Sequence, residues 1–225
     1  MAWGLKTPAI FGMFYPHGEM TGHDEVLRDY YDNKMPASEK AAFESFFGYH
    51  RETVWRHTSD RGPLASHEMP KEYQLKKSYR SLAALMEING TFLIVQKPLK
   101  ELIEAFEPGV HQFWPITIAL RGGQPYPVPC FGMVIKNHIE SVLADQSEWT
   151  PSHSRPPLRY MTQDFFDAEK HRVDRVVLSQ KAIEGRHLWR DTRWLKPGLF
   201  ISNELHDAVK AAGLRIFPTR QAKEV

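Results

Sequence analysis

The sequence lacks several features that mark particular classes of protein. It has a single cysteine, Cys130, so a disulfide within the chain is excluded and a reducing, cytoplasmic setting is the simpler expectation. No apolar run approaches the length of a membrane span, and the N-terminal segment lacks the apolar core of a signal peptide. The net charge is only +2, which gives no electrostatic reason to expect nucleic acid or a membrane as a partner.

Motifs for catalysis and cofactor binding are also missing. The chain has no Gly-rich phosphate loop at a strand-to-helix junction and no Gly-x-Ser-x-Gly segment. Cys130 lies in the apolar run "PVPCFGMVI", which is typical of an inert core thiol and not of a nucleophile. We therefore expect no cofactor, although a catalytic group assembled from distant residues leaves no motif.

Two polar clusters leave alternatives open. His17, Glu19 and His23 in "PHGEMTGHDE" are metal-ligand types, but their spacing matches no known metal motif, so polar loop residues are the simpler interpretation. In "EGRHLWRDTRW", the side chains of Arg186, His187, Arg190, Asp191 and Arg193 suit either a phosphate site or a polar turn followed by an edge strand. We favour the second, with Leu188, Trp189 and Trp194 packed.

The chain begins with irregular and helical patterns and ends with strands. Residues 1–23 predict an irregular arm that packs by Phe11, Phe14 and Tyr15. Helices are predicted over 24–34, over 37–57 as one or two helices, and less clearly over 72–88. Strands are predicted at 92–96, 111–120, 129–136, 175–179, 199–202 and 214–218, and a surface loop at 145–163. The fold class is α+β, with a mainly helical region at 1–89 and an α+β domain at 90–225, packed as one compact unit.

Two stretches resemble each other at a distance of 106 residues. "LIVQKPLKELIEAF" and "LFISNELHDAVKAA" each contain a strand-like run and then an amphipathic helical stripe, with Gly109 or Gly213 available as a C-terminal cap. The first stripe is Leu99, Leu102, Ile103 and Phe106; the second is Leu205, Ala208, Val209 and Ala212. We interpret the pair as two similar strand–helix–strand units within a mixed sheet, because neither junction has the chemistry to hold a nucleotide.

The C-terminal third carries a family resemblance. Its order is a strand with Val177 and Leu178, an Ile183-x-Gly185 segment, then Leu188, Trp189 and Arg190. A strand with Phe200, Ile201 and Ser202 follows, and the end has Glu204, Leu205, Ala212, Gly213, Leu214, Phe217 and Pro218. Over roughly residues 90–220 this resembles the bacterial immunity-protein family designated immunity protein eleven, with Trp189 in place of a usual Phe.

The resemblance implies a role and not a reaction. Such proteins bind a secreted antibacterial toxin, the effector of a secretion system used in competition between bacteria, and protect the producing cell from it. The implied partner is therefore a cognate toxin protein, and the implied function is non-enzymatic inhibition. The resemblance implies no oligomeric state.

Two surfaces are candidates for the toxin interface. Trp, Tyr and Arg are common in the energetic centres of interfaces, and the 145–163 segment holds Trp149, His153, Arg155, Arg159 and Tyr160. The alternative surface is acidic, because residues 1–70 carry 7 Lys/Arg against 10 Asp/Glu. Its members are Glu19, Asp24, Glu25, Asp29 and Asp32. The competing functions are a metal-dependent hydrolase that uses His17, Glu19 and His23, and a structural adaptor.

Overall fold

The computed structural model describes residues 1–7, 9–56, 62–89, 92–147, 150–151, 160–161, 176–192 and 198–225. Six α-helices lie in these ranges: α1 His23–Asp29, α2 Ala37–Lys40, α3 Phe46–Arg56, α4 Lys97–Phe106, α5 Gln180–Ile183 and α6 Asn203–Ala211. A π-helical turn at Tyr30–Lys34 extends α1, and a 3-10 turn covers Ser66–Glu68. Helices and mixed sheets together confirm the α+β class.

Fifteen strands accompany these helices in the described ranges. They are β1 Ala2–Leu5, β2 Gly18–Met20, β3 Glu72–Leu75, β4 Leu85–Ile88, β5 Phe92–Gln96, β6 Gln112–Ala119, β7 Cys130–Val134, β8 His138–Ile139, β9 Thr150–Pro151, β10 Tyr160–Met161, β11 Val177–Leu178, β12 Leu188–Asp191, β13 Gly198–Ser202, β14 Thr219–Gln221 and β15 Lys223–Glu224.

The chain forms two compact units, and both are discontinuous in sequence. Unit 1 comprises Met1–Thr7, Glu101–His111 and Ile135–Val225; unit 2 comprises Pro8–Lys100 and Gln112–Val134. The bounds of these units differ from the division at residue 89 that the sequence suggested. The division into a helical region at 1–89 and an α+β domain at 90–225 stays a prediction.

Unit 1 is built on a five-stranded mixed sheet in the order β14-β1-β13-β12-β8. Only the contact of β12 with β8 is parallel; the other three contacts are antiparallel. Strands β12 and β13 are buried along their whole length, and Trp189 stacks on Phe200 with 5.7 Å between ring centroids. Two short pairs, β9 with β10 and β11 with β15, complete the strand pairing described in this unit.

Unit 2 is built on a six-stranded mixed sheet in the order β2-β3-β6-β7-β5-β4. Its core combines apolar residues of five of these strands, including Tyr73, Met86, Ile94, Ile116 and Val134. Helices α1 and α3 bring a second cluster, in which Leu27, Tyr31, Phe46 and Tyr49 are buried. The helical N-terminal part that the sequence predicted therefore lies within residues 23–56.

The two similar stretches share a topology but belong to different sheets. In unit 2, β5 and β6 flank β7, and both pair with it antiparallel. In unit 1, β13 and β14 flank β1 in the same way. Each stretch is thus a strand–helix–strand unit whose two strands run parallel and enclose one antiparallel strand. Gly109 and Gly213 both have left-handed backbone, with φ of 70° and 65°. Gly213 directly follows the C-cap Ala212 of α6, as predicted, whereas Gly109 lies three residues beyond the end of α4.

Several predicted elements were wrong. Residues 72–88 form β3 and β4, because Tyr73 and Leu75 alternate with partly exposed neighbours in a strand period. The predicted strand at 214–218 is irregular, and pairing begins only at Thr219. The arm at 1–23 contains β1 and β2. Ala212 caps α6 from an exposed position, so it lies outside the buried stripe of Leu205 and Val209.

Candidate functional site

The first candidate interface lies almost entirely outside the described residues. Trp149, His153, Arg155 and Arg159 are not among them, and Tyr160 is described only as part of β10, where it pairs with Pro151. This surface stays a prediction.

The acidic candidates all belong to unit 2, and three of them already have cationic or imidazole partners. The Glu19 carboxylate lies 2.5 Å from Lys76 Nζ, and Asp24 lies 3.4 Å from His50 Nε2. Asp29 lies 2.5 Å from Lys34 Nζ; hydrogen bonds from Lys34 and Asn33 lower the pKa of this carboxyl. The negative electrostatic potential around these residues is therefore weaker than five unpaired carboxylates would produce.

The remaining two acidic candidates are more available. Glu25 and Asp32 are exposed, and neither forms an ion pair with another described residue. Glu25 lies in the first turn of α1 and Asp32 in the π-helical turn that continues it. Together with Asp24, whose side chain is 78% exposed, they give this end of unit 2 an acidic surface.

The structure does not bring the three metal-ligand candidates together. The His17 ring packs on Phe11 with 4.5 Å between centroids, Glu19 faces Lys76, and His23 meets the edge of Phe92. Among the described residues no group of three or more His, Cys, Asp or Glu is placed to hold a metal ion. His17, Glu19 and His23 each face a different neighbour, so they do not form a shared three-ligand metal site.

Glu107, which was not singled out from the sequence, is a buried carboxylate of unit 1 with four hydrogen-bond donors. It follows α4 and is 5% exposed. Its Oε1 accepts from Asn137 Nδ2 at 2.7 Å and from the His187 amide at 2.9 Å. Its Oε2 accepts from His111 Nε2 at 2.6 Å and from the Leu188 amide at 3.1 Å. The carboxylate thus joins the end of α4 to the start of β12.

These donors explain how a carboxylate is tolerated inside the protein. Burial by itself raises the pKa of Glu107, but the hydrogen bonds from His111 and from the backbone of His187 and Leu188 outweigh it and lower the pKa. The Lys136 amide donates to His111 Nδ1 at 3.2 Å, which leaves Nε2 of this ring as the donor to the Glu107 carboxylate. With both oxygens occupied by donors of the protein itself, Glu107 is organised to hold structure.

A second buried carboxylate lies on β12, within the segment "EGRHLWRDTRW", whose Arg193 and Trp194 lie outside the described residues. Asp191 Oδ2 accepts from the Ser141 amide, the Ser141 hydroxyl and the Val142 amide at 2.7, 2.8 and 2.8 Å. The Trp189 indole donates to the same Ser141 hydroxyl at 3.2 Å. Arg190 and Asp191 are 4% and 0% exposed, so they do not present a phosphate site. Strand β12 lies between β13 and β8, so the predicted edge strand was also wrong.

A third buried carboxylate, Glu68, ties α3 to the 3-10 turn in unit 2. It accepts from Thr53 Oγ1 at 3.0 Å, from Arg56 Nη1 at 3.0 Å and from the Ala65 amide at 2.8 Å. Beside it, Tyr49 Oη contacts His67 Nε2, and the Tyr30 ring stacks on His67. Burial lowers the pKa of His67 and raises that of Tyr49, so this cluster also favours its neutral, structural forms.

Cys130 behaves as the sequence predicts. It is 5% exposed, its Sγ contacts the Val128 carbonyl oxygen at 3.4 Å, and burial raises the pKa of the thiol to about 12. A thiol with this pKa is neutral at physiological pH and is a poor nucleophile.

Exposed apolar side chains are the other feature that sequence reasoning missed. Phe11 was expected to pack inward but is 52% exposed, and its neighbour Ile10 is 81% exposed. Phe47 lies in the region 37–57 that the sequence predicts as helical, and its side chain is 71% exposed, whereas that of Phe46 is buried.

Comparison with known proteins gives the family. A model of an immunity protein family (Imm11) matches residues 21–224. The chain belongs to this family. A search of curated proteins gave no match. The Imm11 match begins well upstream of residue 90, where the sequence resemblance began, so it includes α1 and α3 as well as the C-terminal strands. No helix among the described residues is long and apolar enough to cross a membrane.

Proposed function

We propose that this Imm11 protein binds and neutralises a cognate antibacterial toxin in the cytoplasm of the cell that makes both. The observation that carries the proposal is the family match over residues 21–224. In this proposal the toxin is a secreted effector in competition between bacteria, and the protein protects the producing cell and its kin.

The buried chemistry supports binding over catalysis. Glu68, Glu107 and Asp191 each have at least three protein donors at 2.6–3.1 Å. A catalytic acid or base needs a lone pair or proton directed at a substrate, whereas these carboxylates direct theirs at backbone amides and neighbouring side chains. These carboxylates stabilise the fold, so we expect the protein to act by binding its partner through surface residues.

We assign part of the toxin-binding surface to the acidic end of unit 2, at Asp24, Glu25 and Asp32. Exposed carboxylates steer a basic partner and raise its association rate, an effect that salt screens. The segment around Trp149 stays the competing candidate. Point substitutions are the suitable test, because deleting the N-terminal segment would also remove β1, which pairs with both β13 and β14.

We expect the toxin to be the C-terminal domain of a large protein that a neighbouring reading frame encodes. The decisive test is co-expression of that domain with this Imm11 protein. We expect the wild-type protein to restore growth to cells that produce this domain. Growth arrest despite a soluble, folded Imm11 protein would refute the immunity assignment. Binding without rescue would indicate an adaptor instead.

The acidic surface is tested by neutralisation within the same assay. We expect Asp24→Asn/Glu25→Gln/Asp32→Asn to slow association with the purified toxin domain at low salt and to flatten its salt dependence. Glu44→Gln/Glu101→Gln serves as the control for loss of negative charge, because both positions are exposed carboxylates outside the proposed set. Equal association rates for the two variants would exclude the acidic surface.

A further inference from the structure

The first residue of α1 is a histidine that is buried against the core of unit 2. His23 is 5% exposed, and its ring meets the edge of the buried Phe92 with 6.1 Å between centroids. Its Nε2 is shielded from solvent and has no hydrogen-bond partner among the described residues. An imidazole in such a place is stable only in its neutral form, because a charge there would be neither solvated nor paired.

The backbone before His23 leaves the first turn of α1 without a cap. Gly22 is the N-cap residue, has a left-handed φ of 68°, and offers no side chain to the free amides of the helix. The Val26 amide donates to the Gly22 carbonyl at 3.2 Å. The buried residues of α1 are His23 and Leu27, one turn apart. The first turn is therefore held against the core mainly by the His23 ring.

The charged groups around this ring do not compensate for its burial. Burial has the largest effect and lowers the pKa of His23 to about 4, whereas Asp24 raises this pKa and His50 of α3 lowers it. The Asp24 side chain is largely exposed and also contacts His50, so it is not a buried partner for a protonated ring. The turn at Ser66–Glu68 packs against α1, but the Glu68 carboxylate accepts from α3 and from its own turn, and the His67 ring stacks on Tyr30.

We propose that His23 is a pH switch: the neutral ring holds the first turn of α1 against the core, and the turn moves away when the ring takes up a proton. Asp24 and Glu25 lie on this turn, so its release displaces two of the three carboxylates of the acidic surface. The switch thereby regulates the toxin-binding surface. This regulation rests on the proposed function, whereas the movement itself does not.

The size of the effect follows from the two environments of the ring. With a pKa of 6.5 in the released turn and about 4 in the buried position, the balance between the two forms shifts by about 30-fold towards release at pH 5. Above about pH 7 the ring is almost entirely neutral in both forms, so pH has little further influence on the turn.

The test is hydrogen–deuterium exchange of the full-length protein at pH 7.5 and pH 5, with each rate divided by the intrinsic rate of the amide at that pH. The amides of residues 26–29 report on the first turn, because each bonds to the carbonyl four residues earlier. We expect their corrected exchange to rise at least about tenfold at pH 5 in the wild type. In His23→Leu, which is buried but cannot titrate, the rise should be less than about threefold.

His50→Gln is the matched control, since it removes the other imidazole near this turn and leaves His23 in place. It should keep the wild-type rise. Equal rises in the wild type and in His23→Leu would overturn the switch, and loss of the rise in His50→Gln would assign it to His50 instead.

The amides of β5, Phe92–Gln96, distinguish local release from unfolding of the whole unit. At pH 5 the corrected exchange of residues 26–29 in the wild type should exceed that of β5 at least about tenfold, because only the turn opens. Equal exchange of the two segments would show that acid unfolds the unit as a whole, and the switch would be wrong. This comparison needs no variant, so it decides even if His23→Leu does not fold.

The purified toxin domain separates the switch from the immunity function. A toxin that binds the acidic surface favours the form in which the turn is held, so it should slow the corrected exchange of residues 26–29 at pH 5 at least about tenfold at saturation. If the toxin binds and this exchange is unchanged, the switch does not regulate the binding surface. If the wild type does not bind the toxin at pH 7.5, the proposed function fails, and exchange in the free protein still tests the movement.

Discussion

At the scale of single residues, His23 is buried without a visible reason to be polar. It is 5% exposed at the start of α1, and its Nε2 has no hydrogen-bond partner among the described residues. Burial lowers the pKa of His23 from 6.5 to about 4, with Asp24 opposing and His50 adding to the shift. The unfolded chain therefore takes up this proton at a higher pH than the folded protein does.

We predict that His23→Leu makes the protein more resistant to acid. Since the folded pKa is lowered, wild-type stability falls as the pH drops from 6.5 towards 4, by about 2 kcal/mol at pH 5. In urea unfolding, the free energy of unfolding of the variant should lie within about 1 kcal/mol of the wild-type value at pH 8 and above it at pH 5. The control is His50→Gln, whose free energy of unfolding should depend on pH almost as strongly as that of the wild type. If the free energy of unfolding of His23→Leu falls with pH in parallel with the wild type, burial of His23 is not the cause.

Glu107 is the residue whose loss should cost unit 1 most. Glu107→Gln keeps the shape but replaces one acceptor oxygen by an amide that must face donors. We expect the free energy of unfolding at pH 7 to fall by about 2–4 kcal/mol, measured by urea titration.

The pH dependence and a control distinguish this effect from a general loss of charge. Because the folded pKa of Glu107 is lowered, its contribution is present above pH 4.5 and is lost as the pH falls through the folded value. The difference between wild type and Glu107→Gln should therefore shrink in acid. Glu101→Gln, an exposed change on the same helix, should stay within about 0.5 kcal/mol of the wild type at both pH values.

At the scale of elements, β6 and β7 are joined by a contact that tolerates only glycine. Gly132 pairs with Trp114 across the two strands, and a Cβ at 132 would overlap the indole ring. Trp114 cannot easily move, because its indole nitrogen donates to the Pro70 carbonyl at 2.9 Å.

Gly132→Ala is therefore expected to destabilise the protein by about 1–3 kcal/mol in urea unfolding. Gly122→Ala is the control, since a Cβ there meets nothing within 4 Å. If strain against the ring is the cause, Trp114→Leu should lower the free energy of unfolding less in the Gly132→Ala background than in the wild type. Equal losses in the two backgrounds would contradict this explanation.

Elements with a long and clean period could be predicted from the sequence, and short ones could not. β5 is an unbroken apolar run and α4 and α6 have clear apolar stripes, so each was found close to its observed bounds. β1 has only the four residues "AWGL", and its pairing with β13 and β14 depends on residues about 200 positions away. No local pattern encodes such a contact.

The same limit explains the candidate sites. Glu107 lies between ordinary helix-ending residues, and apart from His111 its donors lie 30 to 81 positions further along the chain. Ile10 and Phe11 look like core residues because hydropathy alone does not report which side of a turn faces solvent. The family, in contrast, was found from turn and strand residues of the C-terminal third, because these are consecutive in sequence.

At the scale of the whole molecule, the N-terminal strand closes a sheet formed by the C-terminal end of the chain. Ala2–Leu5 lies between Gly198–Ser202 and Thr219–Gln221, and the Lys6 amide donates to the Pro218 carbonyl at 2.9 Å. Removing β1 leaves the fully buried β13 with an open edge and separates the two parallel strands of this unit. Unit 1 thus depends on both ends of the sequence.

We predict that a chain lacking residues 2–7 loses the cooperative unfolding transition of unit 1 and becomes sensitive to protease between residues 176 and 225. A synthetic peptide of sequence MAWGLKT, added in trans, should restore protease resistance by re-forming both ladders. The same peptide with Gly4→Pro is the control, because proline lacks the amide hydrogen and resists a central strand position. If both peptides protect equally, or neither is needed, strand pairing at this position is not what holds the sheet together.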